Sequence, residues 1–139
     1  DSSGDLIWER RDEQSQFYTG DISPDGQTLA AGSLRGEVLL LETRAGNVVA
    51  RIPAHNDRVT MLRYLPGKNG LLSCSLDRTI RLWDLETGLP TDVFRPQGQT
   101  PKSIDYNDES GVLVIGFTRG TGNTRGGIRL FDARPRRRD

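Results

Sequence analysis

The apolar positions of this chain fall in short runs rather than in helical stripes. Val48 to Ile52, Val59 to Leu65, Gly70 to Ser75 and Thr79 to Asp84 are such runs, mixing leucine with β-branched and aromatic residues. Polar or Gly/Pro-rich stretches separate them: Ala54 to Arg58, Pro66 to Asn69 and Leu76-Asp77-Arg78. Runs of this kind, punctuated by turn chemistry every ~8–12 residues, predict short antiparallel strands. Ser23-Pro24-Asp25-Gly26 reads as a turn, because proline presets φ and glycine accepts positive φ. No window sustains a 3.6-residue apolar period. The pattern is that of an all-β chain.

The pattern also recurs. Shifting the chain by 42 positions brings Gly4 onto Gly46, Pro24 onto Pro66, Ser33 onto Ser75, Val38 onto Ile80 and Glu42 onto Asp84. A third unit keeps this phase through Ile104, Tyr106, Leu113 and Gly116. It then needs six further residues before Ile128, Leu130, Phe131 and Asp132 meet Ile80, Leu82, Trp83 and Asp84. The units are 4–45, 46–87 and 88–135, followed by a basic tail at 136–139. Periods of this length mark repeat architectures, in which one supersecondary unit stacks on the next.

The second unit carries the fullest motif: Ala54-His55, then Ser73-Cys74-Ser75-Leu76-Asp77-Arg78-Thr79-Ile80-Arg81-Leu82-Trp83-Asp84. Four strands per unit with a late Trp-Asp pair resembles the WD40-repeat family of β-propellers. The resemblance implies three four-stranded antiparallel blades in a ring that this chain does not close alone. It further implies a buried hydrogen-bond chain through His55, Ser73, Asp77 and Trp83. Their chemistry suits that role, since Trp only donates, Ser and His both give and take, and ionised Asp accepts. The first unit has Glu13, Ala31, Arg35 and Leu41 at those positions, and the third has Gln97, Ile115, Arg119 and Phe131. Neither can build the chain, although Leu41 and Phe131 keep the apolar bulk of Trp83.

Other candidate sites lead elsewhere. His55, the only histidine, could join Ser73 and Asp77 as a hydrolase set, because such sets recur on unrelated folds. The structural chain uses the same residues and needs them buried, so no enzyme activity is expected. Cys74, the only cysteine, reads as a small buried thiol. No Cys/His cluster has metal-ligand spacing, and no cofactor is implied. Asp105, Asp108 and Glu109 read as a solvated turn. The glycine-rich stretch from Arg119 to Gly127 lacks the following helix that a phosphate-binding loop requires, so it reads as a long hairpin connection.

Charge narrows the partners. Nineteen basic residues balance nineteen acidic ones, which argues against nucleic acid as the ligand. No apolar run approaches the ~20 residues of a membrane span, and the first residues lack the features of a secretory leader. A lone cysteine fits a reducing compartment, placing the chain inside the cell, in cytoplasm or nucleus. The function implied is a non-catalytic protein–protein interaction scaffold. The resemblance places its contact loops around Glu13 to Gln16, Asn56 to Arg58 and Gly98 to Thr100, with the turns at Leu34-Arg35, Leu76 and Arg78. The partner-binding candidates are Arg35, Asn56, Arg58, Arg78, Gln99, Arg119 and Arg125. Phe131-Asp132-Ala133-Arg134 also resembles the Trp-Asp-x-Arg signature of substrate receptors in cullin-type ubiquitin ligases, a second reading.

The repeat phase leaves two deficits. Each unit begins with the outermost strand of the preceding blade, at Asp5 to Arg10, Asn47 to Ile52 and Leu89 to Phe94. The segment from Asp5 to Arg10 therefore has no blade to complete, and Ile128 to Asp132 lacks an outer neighbour. Rings of ~4–8 blades are the usual closed form. Further blades are expected from another chain, from a missing segment or from copies of this chain.

Overall fold

The computed structural model describes residues 4–12, 14–67, 69–96, 99–107, 109–118 and 126–132. Among the described residues the regular structure is eleven strands and no helix: β1 (Phe17–Ile22), β2 (Thr28–Ser33), β3 (Glu37–Glu42), β4 (Val48–Pro53), β5 (Val59–Leu65) and β6 (Gly70–Ser75). β7 (Ile80–Asp84), β8 (Leu89–Phe94), β9 (Thr100–Asn107), β10 (Val112–Thr118) and β11 (Gly127–Asp132) complete the set. They form antiparallel sheets in the orders β1-β2-β3-β4, β5-β6-β7-β8 and β11-β10-β9. The sheets do not close into a ring. Four strands build each of the first two; the third has three among the described residues, with β11 at its edge.

Register follows the same 42-residue phase as the sequence. An irregularity interrupts pairing at Phe17/Thr19 in β1 and again at Val59/Met61 in β5. On the outer side, β3 slips against β4 at Leu40/Leu41, and β7 slips against β8 at Leu82/Trp83. Bulges of this kind add local twist, so recurrence at one phase gives the first two sheets matching curvature. Matching curvature is what lets them stack face to face.

Stacking makes the core. Between the first and second sheets, Ala30, Val38 and Leu40 meet Leu62, Tyr64, Leu71 and Trp83. Between the second and third, Leu72, Cys74, Ile80 and Leu82 meet Tyr106, Leu113, Ile115 and Phe117. Polar ties cross the first junction as well: Asp21 accepts the Tyr64 backbone N–H at 2.7 Å, and the hydroxyls of Thr28 and Tyr64 lie 3.0 Å apart. At the second, the Arg63 guanidinium meets Asp105 at 2.9 Å on exposed surface.

The segment from Asp5 to Arg10 departs from expectation, since it forms no strand. A strand needs an edge to pair with, and no described edge is offered to these residues. Trp8 anchors it, the indole N–H donating to the Thr43 carbonyl at 2.7 Å, and the Arg10 guanidinium donates to the Gly46 carbonyl at 3.5 Å. The ring lies flat on Gly46, whose φ of 71° and missing Cβ leave room for it. Trp8 thereby covers part of the outward face of the first sheet, beside Leu29, Leu39 and Leu41.

Candidate functional site

The turn between β6 and β7 is where sequence motif and geometry meet. Arg78 N–H donates to Ser75 O at 3.2 Å, and Ser75 N–H donates to Thr79 O at 3.2 Å. The Ser75 hydroxyl accepts the Asp77 N–H at 3.0 Å and donates to the Asp57 carbonyl at 3.0 Å. Leu76 N–H reaches the Arg58 carbonyl, 3.1 Å away. The turn is thus stapled to the loop that precedes β5. Arg78 adopts a φ of 70°, unusual for a residue with a side chain.

Beneath this turn lies a continuous polar chain. Trp83 Nε1–H donates to Ser73 Oγ at 2.8 Å, and Ser73 Oγ stands 2.7 Å from His55 Nε2. His55 Nδ1 lies 2.9 Å from Asp77 Oδ2 and 3.0 Å from Thr79 Oγ1. Donor logic fixes the proton positions. The ionised Asp77 can only accept, so the His55 proton sits on Nδ1 and points at it; Nε2 is then an acceptor, and the Ser73 hydroxyl, which accepts from the indole, donates to it. Burial lowers the His55 pKa from its ordinary 6.5, against the opposing pull of Asp77, so the ring is neutral at pH 7. Burial works to raise the Asp77 pKa, but hydrogen bonds from Thr79, the nearby His55 and the Asn56 N–H outweigh it, and the carboxyl stays below its usual range.

Thr79 is the member that sequence reasoning missed. Its N–H and hydroxyl both donate to Asp77 Oδ1, at 2.9 and 2.6 Å. A carboxylate accepting from its own i+2 residue is a common turn geometry, and that spacing, Asp77-x-Thr79, was the available signal.

The arrangement has no access for catalysis. Ser73 is fully buried, its oxygen is occupied by Trp83, and its proton is committed to His55. A nucleophile must reach a substrate carbon, and none can approach here. Cys74 beside it is also fully buried, and burial pushes its thiol up to about 12, far from a reactive thiolate.

What the chain of bonds does is hold a surface. The loop of residues 54–58 sits between two turns: His55 N–H donates to Gly36 O at 2.9 Å on one side, and Asn56 N–H to Asp77 Oδ2 at 3.2 Å on the other. A Cβ at Gly36 would collide with the His55 carbonyl, so this position requires glycine. Arg35, Asn56, Arg58 and Arg78 are therefore gathered at one end of the molecule. Arg35, Asn56 and Arg78 are exposed, and Arg58 is half-buried with its guanidinium 5.0 Å above the Tyr18 ring. That aromatic partner was not foreseen. Beside Arg35, a polar hollow of about 530 Å³ is lined by Asp12, Gln14, Arg51 and His55. Gln99 stands one sheet further on, half-buried just ahead of β9. Glu13, Gln97, Arg119, Arg125, Ala133 and Arg134 lie outside the described residues.

Stacked four-stranded sheets, a repeating register and a His-Ser-Asp-Trp chain beneath a stapled turn define a blade-built repeat protein. Comparison with known proteins agrees. Residues 46–84 match the model of the WD domain, G-beta repeat. The chain is 28% identical over 99 residues to WD repeat-containing protein 89 homolog of Dictyostelium discoideum, covering 71% of this chain and 27% of that protein. It is 32% identical over 120 residues to Periodic tryptophan protein 2 homolog of the same organism, covering 78% of this chain and 13% of that protein. The crystal structure of the computationally designed Ika4 protein superposes with a TM-score of 0.72 at 18% identity, over 94% of this chain and 74% of that one. The chain belongs to the WD40-repeat family, and the coarse role that membership implies is that of a protein-interaction scaffold. It spans about a quarter or less of the length of these two curated relatives.

Proposed function

We propose that the chain acts as a non-catalytic scaffold that binds protein partners through the end bearing Arg35, Asn56, Arg58 and Arg78. One observation supports this most: the buried chain from Trp83 to Asp77 spends its hydrogen bonds on fixing the loop of residues 54–58. Side chains held on rigid backbone lose less entropy on binding than those on a mobile loop. Arginine forks suit carboxylates on a partner, and Tyr18 and Leu76 add exposed apolar surface to the same end. Asp12 brings negative charge to the hollow, where hydrogen bonds from the Gln14 N–H hold its carboxyl below the usual range. The partner expected is a protein segment of mixed charge, met inside the cell.

The test is charge reversal with a matched control. The triple variant Arg35→Glu/Arg58→Glu/Arg78→Glu is compared with wild type and with Glu86→Lys, which alters the turn at the opposite end. Cross-linking and mass spectrometry in the source cell would read the partners. Loss of partners in the triple variant alone, with unchanged circular dichroism, is the expected result. Equal recovery by all three chains would reject this end as the binding surface.

A further inference from the structure

The contact between Arg58 and Tyr18 is more than the fold requires. Tyr18 belongs to β1 and Arg58 to the loop before β5, so the pair bridges the first and second sheets. Carried forward by the 42-residue phase, the same two positions at the next junction hold Thr60 and Thr100. That junction has neither ring nor cation there, and it still buries Leu72, Ile80 and Leu113. Packing alone does not account for the pair.

The guanidinium is held in place with its donors open. The Tyr18 ring, 58% exposed, carries it on one face at 5.0 Å. Among the described residues, no acceptor takes a hydrogen bond from it. Asp57, its neighbour in the chain, instead commits Oδ1 to the Arg58 backbone N–H at 2.7 Å. Stacking uses the flat face of a guanidinium and leaves the N–H groups around its rim. A fork already oriented in this way loses less freedom when a carboxylate arrives. Arg35 and Arg78, at the same end, are exposed, whereas Arg58 is half-buried.

Apolar surface lies alongside. Leu76 is 44% exposed, and its N–H donates to the Arg58 carbonyl at 3.1 Å. The Ser75 hydroxyl holds the preceding residue as well, donating to the Asp57 carbonyl at 3.0 Å. Ring, cation and leucine are therefore fixed relative to one another.

We propose, resting on the partner-binding reading of this end, that Arg58 seats an acidic side chain of a protein partner whose adjoining residue is apolar. The carboxylate meets the rim of the guanidinium in two parallel N–H···O bonds. The apolar neighbour covers Leu76 and the open side of the Tyr18 ring. A carboxamide of the same shape brings one acceptor oxygen and an NH2 group that faces the fork's own donors, so an amide is rejected where an acid is accepted.

NMR titration of the full chain tests this with two peptides, acetyl-Leu-Glu-Leu-amide and its Leu-Gln-Leu counterpart. The acid peptide is expected to move the Arg58 Nε–H and Tyr18 ring signals with a dissociation constant near about 1 mM, the scale for a ligand of few contacts. The amide peptide should bind about tenfold more weakly, the difference one charge-assisted hydrogen bond makes. Arg58→Lys keeps the charge, loses the flat fork and should weaken the acid peptide by a similar factor. Tyr18→Ala should weaken it too, whereas Tyr18→Phe keeps the ring and should leave the affinity unchanged. Equal response to the two peptides, including none to either, would overturn the proposal, as would undiminished binding by Arg58→Lys. So would shifts confined to Arg35 or Arg78, an outcome that leaves this end as the binding surface. Charge reversal of all three arginines decides that broader reading separately, through cross-linked partners rather than peptides.

Discussion

The first and second sheets bury the same positions with different chemistry. Trp83 and Ser73 of the second are matched in the first by Leu41 and Ala31, and all four side chains are buried. The second sheet adds hydrogen bonds to His55 and Asp77; the first closes the space with apolar contacts under Trp8. Both keep the turn-capping serine, Ser33 accepting from Glu37 N–H at 3.0 Å and Ser75 from Asp77 N–H at 3.0 Å. Burial is therefore what the fold needs at these positions. The polar chain is an addition that fixes the neighbouring loop, and it commits every member once one is present.

The comparison breaks most visibly at Trp83. Trp83→Ala should destabilise the second sheet by about 3–5 kcal/mol, the usual cost of an aromatic-sized cavity, read from hydrogen exchange of the β6 amides. Ser73→Ala leaves His55 and Trp83 without their shared partner, and should cost about 1–3 kcal/mol by the same measure. The double variant Ser73→Ala/Trp83→Leu copies the first sheet and removes the indole donor along with its acceptor. Its cost should fall below the sum of Ser73→Ala and Trp83→Leu measured singly, and a fully additive result would show that the chain does not act as a unit.

Acidity gives a gentler test. The His55 pKa is lowered in the folded state, so below 6.5 the unfolded chain takes up the proton first and stability falls with pH. The lowered Asp77 pKa adds a further loss at more acidic pH, as its carboxylate protonates in turn. Thermal unfolding should therefore be flat above about pH 7 and move to lower temperature between pH 6.5 and 5. With a single histidine in the chain, its NMR titration can be followed without assignment. A midpoint above 6.5 would contradict the neutral, buried ring.

The smallest effect concerns the paired turns. Gly36 and Arg78 occupy equivalent positions with φ of 90° and 70°, but only Gly36 is pressed by the next loop. Arg78→Gly should relieve left-handed strain and gain up to about 1 kcal/mol, less what added freedom in the unfolded chain takes back. On the partner-binding reading it should also weaken partner capture. A variant that is both more stable and fully competent would remove Arg78 from the binding surface.

Much of this was legible from the chain itself. The run at Val59 to Leu65 and the turn at Leu76-Asp77-Arg78 stood out because strands alternate with turn chemistry over short distances, which needs no tertiary information. The His55–Ser73–Asp77–Trp83 set was reached through a family resemblance, and spacing alone would not have distinguished it from a hydrolase. Thr79 escaped notice because β-branched residues at a strand start look like propensity. Residues 5–10 failed as a strand because pairing depends on an available edge rather than on composition. The Arg58–Tyr18 contact joins two sheets 40 positions apart, a meeting that only the stacking geometry reveals.

That stacking has a kinetic consequence. β5 touches β1 and β2 on one side and β9 on the other, so each sheet leans only on its immediate neighbours. Stability in such an array is approximately a sum of unit and interface contributions, and cooperativity decays along it. The third sheet, where Ile128 and Leu130 of β11 are exposed, should open first and most often. Its amides should exchange ahead of those in β6, well before the molecule unfolds as a whole. A single melting temperature would then average over staged events, and the middle sheet, supported from both sides, would be the last to let go.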